Sequence, residues 1–268
     1  MTDCPTYDIS CTAKCNCHDG YSGAECGSTD AEVAAEISMR ANLTNSILTL
    51  ISNDEPSEES VESWVTGISS MTQKPDQLST GAASSILSAA LSTISAASAV
   101  GVSPGAMDSL LTAVDTAAVT SASSISAQAA ANSSSVSSVV APGAQAAAIL
   151  DDFSSMLVDS MVAGEEPYVN SQQSFKMSVQ ADPIPANGSL TVAVPQSQSE
   201  SAFGVETSSI SIQPTAGTRR ALSTGSGSNS IKSSVVETKA FQFGSEATDF
   251  ITNPLSIQLS GASDISEI

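Results

Sequence analysis

The stretch Phe153-Ser154-Ser155-Met156-Leu157-Val158-Asp159-Ser160-Met161 runs into Gly164-Glu165-Glu166-Pro167 and then into Asn170 to Val179, and the spacing of its apolar residues changes on the way. Before the change, Ile149, Leu150, Phe153, Met156, Leu157 and Met161 recur at three- and four-residue intervals, the period of one buried helix face. From about Tyr168 the period is two: Phe175, Met177 and Val179 alternate with polar residues, as in a half-buried strand. A chain that is helical up to this point and extended beyond it belongs to the α+β class.

Working upstream, Val33, Ile37, Ala41, Ile47, Leu48 and Ile51 mark a helix for which Asp30 reads as the N-cap. Asn53-Asp54-Glu55-Pro56-Ser57 ends it and starts another, with Val61, Trp64, Val65, Ile68 and Met71 on one face. Glu58, Glu59 and Glu62 fall in its first turns, where carboxylates favour the positive end of the helix dipole, so this acidic cluster reads as helix initiation rather than a metal site. Ile86, Leu87, Ala90, Leu91 and Ile94 predict a third helix, and Met107, Leu110, Leu111 and Val114 a fourth after a Ser103-Pro104 start. No charged residue lies between Asp76 and Asp108, yet Ser and Thr fill nine of the 24 positions from 79 to 102. That window is too polar for a spanning helix, so no membrane insertion is expected within the chain.

Working downstream, Leu190, Val192 and Val194, Ile210 with Ile212, Phe241 with Phe243, and Leu255, Ile257 and Leu259 repeat the strand period. Pro183, Pro185, Pro195, Pro214 and Pro254 fall between the runs, as in a sheet that keeps its prolines to loops and edges. Residues 223–230, Ser-Thr-Gly-Ser-Gly-Ser-Asn-Ser, read as a flexible linker or long loop.

The charge balance excludes several functions. Twenty-eight Asp and Glu against eight Lys and Arg give a net charge of -20, which argues against nucleic-acid partners and against docking on anionic lipid. Aromatic residues are only 4% of the chain and serines number 53, so the core must be built mainly from Ala, Val, Ile and Leu, and it will be light. His18 is the lone histidine, which leaves one imidazole for any nucleophilic arrangement, and phosphate-loop, dinucleotide and zincin patterns do not occur. The nearest acid-base pair is Asp151-Asp152, but adjacent residues point to different faces of a helix. No catalytic residue, cofactor or metal site is expected.

All five cysteines lie at positions 4, 11, 15, 17 and 26, and the segment from Cys15 to Cys26 reads C-x-C-x-x-G-Y-x-G-x-x-C. Gly20 and Gly23 permit the positive φ angles of a tight hairpin, and Tyr21 is placed to cover a disulfide that stands in for a core. This segment resembles the C-terminal half of an EGF-like module, with the compact spacing of tenascin-type repeats. The resemblance implies bridges Cys4 to Cys15 and Cys17 to Cys26, with Cys11 unpaired and the module's first cysteine upstream of Met1. Calcium-binding modules of this family carry an acidic residue or Asn where Thr12, Ala13 and Lys14 stand, so calcium is not expected. Residues 1–10 contain no signal peptide, although such a cysteine pattern needs an oxidising compartment. The parent protein is therefore expected to continue beyond both ends, with an anchor downstream.

Helices followed by an antiparallel region after an EGF-like module resemble the two halves of a GAIN-type domain, the passage Phe153 to Val179 being similar to that family's step from last helix to first strand. The implied organisation is a partial EGF-like module over residues 1–29, a Ser/Ala-rich helical subdomain over 30–166 and an antiparallel, sandwich-like β subdomain over 167–268. The implied setting is the extracellular or cell-surface region of a polycystin-like or adhesion-type membrane protein, non-enzymatic, with protein or glycan partners. The family's cysteines, tryptophans and cleavage triplet are missing, since no Cys follows Cys26 and no Trp follows Trp64, so self-cleavage is not expected. The alternative is a Ser/Ala-rich secreted matrix or wall protein in which residues 79–148 lack structure. Sequons stand at Asn42, Asn132 and Asn187; Asn187 lies in an apparent turn and is the best placed, whereas Asn42 lies in a predicted helix and is the worst placed. Arg219-Arg220-Ala221-Leu222-Ser223 reads as an exposed basic loop rather than a processing site.

Overall fold

The computed structural model describes residues 16–23, 25–131, 142–183, 190–196, 202, 204, 209–212, 230–238 and 255–260. Cys4, Cys11, Cys15, Asn132, Asn187, the basic run 219–223, most of the serine-glycine run and the Phe241–Phe243 pair lie outside them.

Short strands Tyr21–Ser22 (β1) and Ser28–Thr29 (β2) lead directly into helix Asp30–Asn53 (α1). The cap of α1 is Thr29, one residue before the Asp30 that the sequence pointed to. The physical reason is a capping box: the Glu32 carboxylate accepts from the Thr29 N–H at 2.8 Å and from its hydroxyl at 2.9 Å, while the Glu32 N–H donates back to that hydroxyl. Asp30 then sits in the first turn, where its charge favours the dipole. Helix Glu58–Thr72 (α2) begins at Ser57, whose hydroxyl accepts from the Ser60 N–H, and it buries Val61, Trp64, Val65 and Ile68 as their spacing predicts.

Helix Thr80–Val100 (α3) packs against α1 and α2, and also against helices Asp108–Ala131 (α4) and Pro142–Ser160 (α5), which makes it the centre of the bundle. By length and composition α3 could cross a membrane. Here it buries Ala82, Ala83, Ile86, Leu87, Ala89, Ala90, Ile94 and Ala97 among its neighbours, and its many alanines let four helices approach it closely. Thr93, fully buried, returns its hydroxyl to the Ala89 carbonyl at 2.8 Å. A Gly101 C-cap at φ 78° stops the helix.

Strands Tyr168–Ser171 (β3), Phe175–Pro183 (β4), Ser230–Thr238 (β7) and Leu255–Ser260 (β8) form an antiparallel sheet in the order β3-β4-β7-β8. Strands Leu190–Ala193 (β5) and Ser209–Ile212 (β6) pair separately. The chain is thus α+β, with α1 to α5 following the short β1–β2 pair and the antiparallel strands β3 to β8 after them. β7 corrects the loop reading at its start, because Ser230 opens a nine-residue strand paired with the whole of β4. Pro183 also departs from expectation: it is the last residue of β4, opposite Ser230, rather than part of a connection. A proline at a strand end forfeits no interior ladder bond.

The face of β4 that carries Phe175, Met177, Val179 and Ala181 joins the helical core, and one continuous apolar cluster runs from Ile51 to Val236. The boundary at residue 166 therefore falls between α5 and β3 with the core crossing it. α5 lies on β4 and β7, and Lys232 of β7 fixes its end, donating to the carbonyls of Val158 at 2.5 Å and Asp159 at 3.3 Å. A cation on the last carbonyls of a helix offsets their partial negative charge. Val235 of β7, outside that cluster, and its register partner Ser178 of β4 are buried too, so the second face of the sheet is also covered.

Candidate functional site

At the N-terminal end, Cys17 and Cys26 form a disulfide with Cα atoms 5.2 Å apart. Gly20 and Gly23 take φ of 85° and 89°, the left-handed conformation that their place in the motif requires, and Cys26 takes φ 55°. The Tyr21 N–H donates to the His18 carbonyl at 3.0 Å and the Cys26 N–H to Gly23 at 3.2 Å. Tyr21 pairs with Thr29, and the Asp30 N–H donates to the Gly20 carbonyl at 3.1 Å. The disulfide hairpin is consequently continuous with the cap of α1, with no linker between them. Tyr21 is 50% exposed, which leaves much of its ring open to solvent. His18 is exposed.

The most organised polar cluster lies elsewhere, where the β3–β4 hairpin docks on α4. Asp108, Thr112 and Asp115 stand at i, i+4 and i+7 of α4 and so share one face. The Tyr168 hydroxyl donates to Asp108, the Asn170 amide donates to Tyr168 at 3.3 Å, and Gln172 donates to Thr112 at 3.4 Å and Asn170 at 3.0 Å. Asp115, 7% exposed, accepts from the Ser174 N–H at 2.7 Å, from the Ser174 hydroxyl and from the Gln173 N–H at 3.4 Å. Each group is a donor matched to an acceptor, which joins the hairpin to the helix. The seam was not singled out from the sequence. Its signal was a single carboxylate, Asp115, inside the apolar run Leu110 to Ala118.

Burial, and secondarily the hydrogen bond to Asp108, raise the Tyr168 pKa well above the ordinary tyrosine value. The fold therefore favours the neutral phenol, and its stabilising effect is complete below the unfolded value of about 10 and lost as pH rises beyond it. In thermal melts between pH 9 and 11, the wild type is expected to lose stability more steeply than Tyr168→Phe. Parallel pH profiles for the two would refute the assignment.

Asp151 and Asp152 are both exposed on α5, and among the described residues no group of three or more His, Cys, Asp or Glu is placed to hold a metal ion. Asn42 is exposed near the middle of α1. No family model matches the chain, and no curated protein matches it.

Proposed function

We propose that the chain is a non-enzymatic extracellular interaction region, in which an EGF-like module is mounted on a GAIN-like pair of a helical and a sandwich-like β half, as in polycystin-like and adhesion-type surface proteins. Its partners are proteins or glycans at the cell surface. The observation that carries this reading is the Cys17–Cys26 bridge within the motif of Cys15 to Cys26, closed around Gly20 and Gly23 at positive φ and set directly on α1. Such a bridge holds where the surroundings are oxidising. The direct join to α1 supports a contact role, because a load or orientation at the hairpin passes into the bundle without a slack linker. The helical order of 80–100 and 108–131 favours this reading over a matrix protein with an unstructured middle.

The test is a peptide map of protein secreted from a eukaryotic cell, followed by binding of the intact and Cys17→Ser forms to whole cells. A cross-linked Cys17–Cys26 peptide is expected, with binding reduced by the substitution. Breaking a bridge that spans nine residues removes about 2–3 kcal/mol of chain constraint, enough to loosen the hairpin while α1 to α5 stay folded. Free thiols at both positions in secreted material would refute the proposal.

A further inference from the structure

We propose that Asn42 carries an N-linked glycan and that this glycan covers an apolar stripe left open on α1. The proposal rests on the reading of the chain as a secreted protein. α1 turns Thr44 and Ile51 into the core, with Ala41, Ile47 and Leu48 packed beside them. Away from that face stand Met39, Leu43 and Leu50, exposed by 60%, 45% and 51%. Their separations of four and seven residues put them on one side of a helix with 3.6 residues per turn. They are half of the large apolar side chains exposed among the described residues, the others being Tyr21, Val162 and Val169. Exposed apolar residues gathered in this way point to a covering partner, whereas scattered ones do not.

The sequence at the stripe states what that partner is. Asn42-Leu43-Thr44 is a sequon, and one of the stripe's own leucines is its middle residue. Asn42 is exposed and lies three residues from Met39, a neighbouring position on a helix surface. A sugar on its Nδ2 would therefore start at the edge of the stripe. Pyranose rings present C–H groups on one face and hydroxyls around the rim, so the first sugars can lie over Met39, Leu43 and Leu50 and remain hydrated outside.

In the transfer, Asn42 Nδ2 attacks the anomeric carbon of a lipid-linked oligosaccharyl diphosphate. The new C–N bond replaces the anomeric C–O bond, the diphosphate leaves with the bonding electrons, and the amide loses one proton. The hydroxyl that completes the motif belongs to Thr44, which is 2% exposed and donates to the Arg40 carbonyl at 2.9 Å. It can be read only before α1 packs, so addition precedes folding, and the folded unmodified chain is not a substrate.

The full chain should be secreted from a eukaryotic cell as wild type and as Asn42→Gln, then mapped by mass and titrated with a hydrophobic dye. The expected result is a modified Asn42 peptide, with dye binding several-fold higher in Asn42→Gln at unchanged circular dichroism. Adding Met39→Ser, Leu43→Ser and Leu50→Ser to Asn42→Gln should return dye binding to the wild-type level. A bare Asn42 in material that contains the Cys17–Cys26 peptide overturns the proposal and leaves the extracellular reading standing, as does equal dye binding by the wild type and Asn42→Gln. Bare Asn42 together with free thiols overturns both.

Discussion

Replacing Phe153 with alanine is expected to lower the unfolding free energy by about 3–5 kcal/mol. Phe153 is fully buried on α5, the helix that touches α3 and α4 on one side and β4 and β7 on the other. Its ring meets Tyr168 edge-on, with centroids 5.9 Å apart and planes at 65°, a geometry that adds to the effect of burial alone. Few residues can compensate. Aromatics make up 4% of the chain, and many of the buried neighbours are alanines, which have no rotamers with which to move into a cavity. A loss of that size is a large share of the 5–15 kcal/mol that a domain usually holds. Urea unfolding measures it: the midpoint should fall with the slope unchanged. A loss under about 1 kcal/mol would mean that the two halves do not share the core at Phe153.

The same helix shows what could be read in advance. Phe153, Met156 and Leu157 stand out against serine and aspartate, so the second half of α5 was legible. Its first half, Gly143 to Ala148, is mostly alanine, which has high helix propensity but little hydrophobic contrast, so periodicity could not show where the helix begins. α2 was legible throughout because its buried face alternates with glutamate and serine. β7 was missed for a different reason. Ser233, Ser234, Val235 and Val236 are all buried, and a strand covered on both faces loses the alternation that identifies a strand. Its Ser230 start also merges with the serine-glycine run before it. At the disulfide hairpin, by contrast, covalent chemistry and glycine conformation fix the local structure, and both are written in the residues themselves: Gly20 and Gly23 adopt the φ their positions require. The polar seam on α4 depends on partners about 60 residues away in sequence, as with Asp108 and Tyr168, and no local pattern encodes such a pairing.

Asp115 should give the second large effect, with Asp115→Ala losing about 2–4 kcal/mol. Two opposing terms decide the sign. Burying a carboxylate costs desolvation, and removing it returns that cost. Against this, the Ser174 N–H, 2.7 Å from Asp115 Oδ1, lies in a residue with no exposed surface, so alanine would leave a buried donor and the Ser174 hydroxyl without their acceptor. Hydrogen bonds to a charged acceptor contribute about 1.5–3 kcal/mol, and an orphaned buried donor costs about 1–3 kcal/mol, so the loss outweighs the recovered desolvation. Gln173 is exposed, and its N–H can turn to water, so it adds little. Asp115→Asn keeps one acceptor oxygen and should retain roughly half of the stability lost in the alanine variant. Combining Asp115→Ala with Ser174→Ala separates the terms, because the double variant removes the hydroxyl's need for a partner but not the amide's. The local readout is hydrogen exchange at the Ser174 amide, which should speed up in Asp115→Ala far more than exchange in α2, since the turn opens before the bundle does. Unchanged protection at Ser174 in Asp115→Ala would show that the hairpin is held by its sheet register with β7 instead, and that the seam on α4 is incidental to it.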